Sequence, residues 1–303
     1  MSKPWTTKDI PTQSGKRILI TGANSGIGWN TALELARAGA EVTIPCRTQA
    51  KADDAVARIR AILPSAHLHT AVMDVSNMAS VRAFAAQQLE DRRPIDTLIN
   101  NAGVMGMPKR TLSVDGFEIQ FATNVLGHFL LTGLLLPAIL RASAPRVVTV
   151  ASSAHAMGGP LQLDNLNSDK RYKPFGTYAQ TKLENVLFAR ELQRRARTRL
   201  LSTTCHPGYA RTSLQFSGPG FGMKVASVLF LPVSQSSAKG AEPTLFAATS
   251  LEASPAAYYG PDGIGGMRGN VKDTQMAKFA YDDVAGNALF ERLEELTGIR
   301  YAL

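Results

Sequence analysis

The chain has 303 residues, 45% hydrophobic and 19% charged, with a formal net charge of +9. That balance excludes a disordered, collagen-like or cysteine-stapled protein, and the length suits one sizeable α/β domain. Its two cysteines, Cys46 and Cys205, fall in predicted strands and read as buried thiols in a reducing compartment.

In chain order, Met1 to Gly15 is polar without an apolar core segment, so neither a signal peptide nor an anchor is predicted. An apolar strand at 17–21 runs into Thr21-Gly22-Ala23-Asn24-Ser25-Gly26-Ile27-Gly28, and a helical pattern follows from Trp29 to Ala38. In that context Gly22 permits a tight turn, while Gly26 and Gly28 let a helix N-terminus approach a pyrophosphate. Further strands are predicted at 41–46, 67–74, 97–101, 146–151 and 201–206, separated by stretches long enough for crossover helices. Tyr258 to Gly263 predicts a short last strand and turn, and a final helix is expected from about Asp283 to Thr297. The alternation predicts a doubly wound, Rossmann-type α/β fold: a mostly parallel sheet of about seven strands, with helices on both faces. Ligand sites belong at the carboxyl ends of such strands. No linker, repeat or low-complexity stretch divides the chain, so residues 1–303 are read as a single domain.

The longest apolar stretches, Phe129 to Leu140 and Val225 to Val233, are too short to span a bilayer, and a cytoplasmic location is expected. The basic cluster Arg190, Arg194, Arg195, Arg197 and Arg199 is interleaved with Glu191 at a helix end, where cations are favourable in their own right. Lacking interleaved aromatics, it reads as a solvated face or subunit contact rather than a nucleic-acid surface. No His, Cys and carboxylate cluster has ligand spacing, so no metal is expected.

Tyr178 and Lys182 stand four residues apart, on one face of a predicted helix. A phenol with an ordinary pKa near 10 exchanges protons poorly at neutral pH, and an ammonium beside it favours the phenolate. The pair therefore suits proton transfer at a carbonyl or alcohol oxygen.

Thr21 to Gly28, Asn100-Asn101-Ala102-Gly103, Asn124, Ser152-Ser153, Tyr178 with Lys182, and Pro207-Gly208 followed by Thr212 span roughly two thirds of the chain. In this order they resemble the short-chain dehydrogenase/reductase family. Leu163-Asp164-Asn165-Leu166-Asn167, ahead of Tyr178 to Asn185, is similar to its retinol-dehydrogenase-like branch. The resemblance implies that Gly22, Asn24, Ser25, Gly26, Ile27, Gly28, Asn101, Ala102, Gly103, Pro207, Gly208 and Thr212 surround a nicotinamide dinucleotide together with Tyr178 and Lys182. Asp74, with Val75, matches the position that contacts adenine; the competing reading of Asp74 is a helix N-cap. After the second strand, where an acid would bind a ribose diol, stand Cys46 and Arg47. A guanidinium suits a 2′-phosphate, which favours NADP(H), with Thr48 and Lys51 as supplements. Ser25, though, occupies a position that is basic in many NADP-dependent relatives.

By the same resemblance Tyr178 is the general acid of reduction and general base of oxidation, its pKa lowered by Lys182. Ser153, preferred to Ser152 as the second of its pair, binds the substrate oxygen, and Asn124 orders a relay water. His155 reads as a pocket wall and His206 as structural. The insert from about Gly158 to Phe175 is expected over the active-site mouth. The glycine-hinged apolar stretch 213–234 is expected as a lid, with a core-packed or membrane-surface helix as the competing reading. The expected function is NADP(H)-dependent interconversion of an apolar ketone or aldehyde with its alcohol, by a homodimer or homotetramer. The competing readings are a non-catalytic NADP(H)-binding regulatory protein and a reductase of carbon–carbon double bonds.

Overall fold

A computed structural model describes residues 3–209 and 234–303. The lid expected at 213–234 lies almost entirely, and Thr212 wholly, outside the described residues. Eight strands form one sheet in the order β3-β2-β1-β4-β5-β6-β7-β8. They are β1 (Arg17–Ile20), β2 (Glu41–Cys46), β3 (Leu68–Val72), β4 (Thr97–Asn100), β5 (Arg146–Val150), β6 (Leu201–Cys205), β7 (Tyr258–Pro261) and β8 (Val271–Asp273). All neighbours pair in parallel except β7 and β8. The sequence predicts about seven strands. The additional one, β8, is three residues of half-buried or exposed Val-Lys-Asp that carry no apolar pattern and gain their extended form by pairing with β7.

The strands β1 and β4 are buried at every position, as expected where helices cover both faces of a parallel sheet. On one side α1 (Gly26–Arg37), α2 (Gln49–Ile62) and the later helix Ser237–Thr249 enclose Leu35, Ile44, Ile59, Val148 and Leu245. On the other, α3 (Met78–Glu90), α4 (Ile119–Ile139), α5 (Pro174–Ala196) and the final helix enclose Phe84, Leu135, Phe188 and Phe290. In order, Ser237–Thr249 is α6 and Asp283–Thr297 is α7. The Phe129 ring on α4 sits at 5.4 Å from Phe188, 5.0 Å from Phe290 and 4.7 Å from Tyr301, tying three elements together.

Two expectations change here. The apolar stretch around Phe129 belongs to a helix of 21 residues, long and apolar enough by length and composition to cross a membrane; 83% of its apolar window is buried inside the fold. The basic cluster at the end of α5 keeps a solvated face, with Arg194, Arg197 and Arg199 exposed, but is also tied into the fold. Arg194 and Arg195 hold the buried Glu191 at 2.6 Å, Arg190 meets Asp283 at 3.3 Å, and the Arg195 guanidinium lies 4.0 Å over the Phe290 ring. These contacts clamp α5 to α7.

Candidate active site

The switch in strand order between β1 and β4 opens a crevice at their carboxyl ends, and the glycine loop occupies it. Gly22 has φ of 69°, and a Cβ there would come 2.8 Å from the Ala102 Cα. At Gly28 a Cβ would meet the Gly22 carbonyl oxygen and the Asn101 amide, each at 2.5 Å. Only glycine lets the helix start this close to the loop behind it. Ser25 is the residue before α1 in extended conformation, and Gly26 and Ile27 form its first turn. The Asn24 carbonyl is held from α2 by Arg58 at 2.6 Å, whose guanidinium also lies over the Trp29 ring. The backbone N–H groups of this first turn and the close glycine cradle fit a pyrophosphate.

Thr21 joins this loop to the second motif. Its hydroxyl accepts hydrogen bonds from the Asn101 and Ala102 backbone amides, both at 2.9 Å, while the Asn101 side chain donates to the Thr21 carbonyl at 2.7 Å. With both lone pairs used, the Thr21 hydroxyl proton points to His128 Nε2, 2.8 Å away. His128 is fully buried, its pKa pushed down to about 4 by desolvation, and its Nδ1 lies 3.1 Å from the Asn124 carbonyl oxygen. The neutral ring therefore connects the glycine loop to Asn124.

Asn124 stands in a wide helical turn, Ala122–Leu126, inserted in α4, an irregularity often found at functional sites. Its side chain exchanges both bonds with Val104, at 2.8 and 3.0 Å, and donates to Thr181 at 3.0 Å. The amide is thereby committed to fixing the 104 segment against α5; a relay water has the Asn124 carbonyl, not this side chain, to bind. Gly103 lies beside both Asn124 and Lys182.

On α5, Tyr178 and Lys182 are both buried. Lys182 Nζ donates to the Val150 carbonyl at 2.9 Å and sits 5.7 Å from the centre of the Tyr178 ring. The expected lowering of the phenol pKa is not found. Burial pushes Tyr178 up to about 12 and Lys182 down to about 8, because loss of water penalises the charged form of each. At neutral pH the pair is thus a neutral phenol beside an ammonium, which is the form that can give a proton away.

Ser152 acts on the Tyr178 phenol, working against the upward shift of its pKa, and its Oγ accepts from Ala154 N at 3.2 Å. Ser153 is exposed, at the start of the one-turn helix Ser153–Met157. Met105, Ala154 and Phe175 give the Tyr178 ring an apolar surround, with Phe175 at 5.9 Å between ring centres.

The adenosine end shows a similar division. Arg47 is exposed just beyond β2, and among the described residues it has no acidic partner. Lys51 and Arg58 also act electrostatically on the buried Cys46 thiol. Thr48 instead caps α2, accepting from Lys51 N at 3.4 Å. Asp74 Oδ1 accepts from Ser76 N and Oγ at 2.9 and 2.7 Å, and the cap of α3 is Asn77; Asp74 is not the N-cap. Val75 is buried, with its carbonyl close against Gly127. Gly208, with φ of 64°, follows Pro207 below the 262–270 turn, where Tyr209 N donates to the Met267 carbonyl at 2.7 Å. His206, as expected, packs structurally, stacked 5.0 Å from the Tyr258 ring.

The insert expected over the mouth lies instead on the flank of α5. Gln180 holds Gly158 O at 2.7 Å and Gln162 N at 3.1 Å, and Arg110 reaches Asn167 and Asp169. Between insert and helix is a cavity of about 240 Å³ lined by Thr177, Gln180, Thr181 and Glu184, on the side of α5 away from Tyr178. Only its end, Phe175, touches the Tyr178 surround. Among the described residues, no group of three or more His, Cys, Asp or Glu side chains could hold a metal ion.

Three comparisons bear on this geometry. A family model described as short chain dehydrogenase matches residues 16–217. Retinol dehydrogenase 13 of Homo sapiens is 37% identical over 295 residues, which is 95% of this chain and 86% of that protein. A short-chain dehydrogenase/reductase of Armillaria gallica is 37% identical over 82% of this chain and 81% of its own. Among solved structures, an uncharacterised protein of Mycobacterium paratuberculosis superposes with a TM-score of 0.82 at 35% identity, over 99% of this chain and 100% of that one.

Proposed function

Because this chain belongs to the short-chain dehydrogenase/reductase family, within its retinol-dehydrogenase-like branch, we propose that it is an NADP(H)-dependent oxidoreductase interconverting an apolar aldehyde or ketone with its alcohol. One observation carries the reading: a neutral, buried Tyr178 phenol has the Lys182 ammonium beside its ring, inside an apolar surround. When bound, the nicotinamide supplies or takes the hydride. In reduction Tyr178 gives its phenolic proton to the nascent alkoxide oxygen, and in oxidation it takes the alcohol proton back. Ser153, the second serine of its pair, would donate a hydrogen bond to the same oxygen, where negative charge develops. Lys182 holds positive charge next to the phenolate as it forms and would hold the nicotinamide ribose.

The glycine cradle and the amides of Asn101 and Ala102 would hold the dinucleotide, with Asp74 at the adenine. Arg47, backed by the positive field of Lys51 and Arg58, would take a 2′-phosphate. Met105 and Phe175 favour an apolar carbonyl compound at the mouth. The likeness to retinol dehydrogenases makes all-trans-retinal the first aldehyde to try. The test is NADPH consumption across a panel of retinal, aliphatic and aromatic aldehydes and ketones, and enones, with NADH in parallel. Turnover of an aldehyde or ketone with NADPH preferred supports the reading; turnover confined to enones would replace it with carbon–carbon double-bond reduction.

A further inference from the structure

Gln120 stands in the first turn of α4 and is fully buried. Its side-chain oxygen accepts a hydrogen bond from the Gly106 backbone amide at 2.7 Å. A backbone N–H can only donate, so this contact fixes which end of the Gln120 amide faces it. The amide nitrogen, at the other end, donates to the Pro174 carbonyl at 3.2 Å and to the Tyr172 hydroxyl at 3.3 Å. Tyr172 in turn donates to the Met107 carbonyl. Burial, and after it the Glu118 carboxyl, push Tyr172 up to about 12, so its phenol keeps the proton that this bond uses. Beside them, Asn167 Oδ1 accepts from Glu118 N at 2.6 Å. These bonds join the two segments that carry the apolar walls of the site. Met105 precedes Gly106, whose φ of 64° turns the chain there, and Phe175 follows Pro174. Both side chains pack against the cluster that holds Tyr178.

We propose that Gln120 and Tyr172 are specificity-determining residues: they staple the Met105 and Phe175 walls to each other, so that the mouth beside Tyr178 accepts aldehydes unbranched next to the carbonyl and rejects their branched isomers. Moving either wall outward to admit a branch breaks a bond to a buried donor, the Gly106 N–H or the Gln120 amide, and leaves that donor unpaired. Substrate width is therefore read against walls that do not yield. Both residues act through the walls they hold. The inference rests on the reading of the chain as an oxidoreductase of apolar carbonyl compounds with Tyr178 as proton donor, and it narrows the substrates of that site.

The experiment compares the parent, Gln120→Leu and Tyr172→Phe, using NADPH and two isomeric aldehydes, octanal and 2-ethylhexanal. The parent is expected to favour octanal by at least about tenfold in kcat/KM, the lower worth of a methylene-sized difference in a fixed pocket. Gln120→Leu should cut that preference by about fivefold or more and Tyr172→Phe by about threefold, mainly through a lower KM for the branched aldehyde. KM for NADPH should stay within about twofold in both variants, since neither residue adjoins the glycine cradle. A parent without the preference, a preference unchanged in both variants, or equal losses on the two aldehydes would overturn the proposal, because a residue that only supports the fold lowers both alike. If Gln120→Leu fails to fold, Tyr172→Phe, which removes a single oxygen, decides. Independently of turnover, hydrogen exchange should find the Gly106 amide protected in the parent and exchanging at least about tenfold faster in a folded Gln120→Leu. A Gly106 amide unprotected in the parent overturns the staple. Turnover of no carbonyl compound at all would instead be the failure of the functional reading, and the selectivity would fall with it.

Discussion

Adjacent serines with different surroundings give a sharp test of which hydroxyl works at the substrate oxygen. Ser152 holds its hydroxyl against Ala154 N, whereas Ser153 is exposed at the start of the one-turn helix. Removing one preorganised donor to a developing oxyanion costs about 100-fold to 1,000-fold in kcat, roughly 2.7–4 kcal/mol. Ser153→Ala should therefore fall in that range, and Ser152→Ala should stay within about threefold of the parent. Ser152 also caps its short helix through Ala154 N, so the variant loses about 1 kcal/mol of stability as well. For a chain of 303 residues that is a fall in Tm of about 1–2 °C. Steady-state kinetics well below the unfolding transition, with Tm measured alongside, separates the two effects. A larger kcat loss in Ser152→Ala than in Ser153→Ala would refute the reasoning and give the role to the first serine.

Arg47→Asp should raise KM for NADPH by about tenfold to a hundredfold, the worth of one charge-assisted hydrogen bond, while KM for NADH moves less than about threefold. Equal losses for both cofactors would show that Arg47 does not read the phosphate. Glu184 is buried beside Glu118, with one carboxyl oxygen unpartnered, and burial raises its pKa from 4.5 to about 8. Between those values the folded state keeps a proton that the unfolded chain has lost, so this group makes stability fall as pH rises through the window. Glu184→Gln should accordingly gain several degrees in Tm over the parent near pH 8.5 and little near pH 4.5. A gain that does not depend on pH would mean that Glu184 titrates normally.

Much of the fold could be read from the sequence because the signals were local. The glycine loop follows β1 and opens α1, and the final helix runs from Asp283 to Thr297, bounded by the Asp282 cap and by Gly298 in the left-handed region. Apolar runs announced the buried strands, but β8 has no such run and exists by pairing with β7. In the site, the four-residue spacing put Tyr178 and Lys182 on one helix face. It could not show that the Lys182 amine would bond the Val150 carbonyl, nor that burial would outweigh its field at the phenol. The geometry of His128 was missed because its partner, Thr21, stands far away in the chain. A buried histidine next to a motif residue was the available signal, and its meaning depended on which atom faced it.

The central claim is that Tyr178 exchanges the proton with the substrate oxygen, and Tyr178→Phe tests it most directly because it removes one hydroxyl from an otherwise apolar surround. NADPH affinity should be measured by fluorescence titration and turnover by NADPH consumption with the preferred aldehyde or ketone. The account predicts an affinity within about threefold of the parent and a loss of turnover of at least about 100-fold, the lower reach of general acid catalysis. Turnover close to that of the parent, with NADPH still bound, would contradict it.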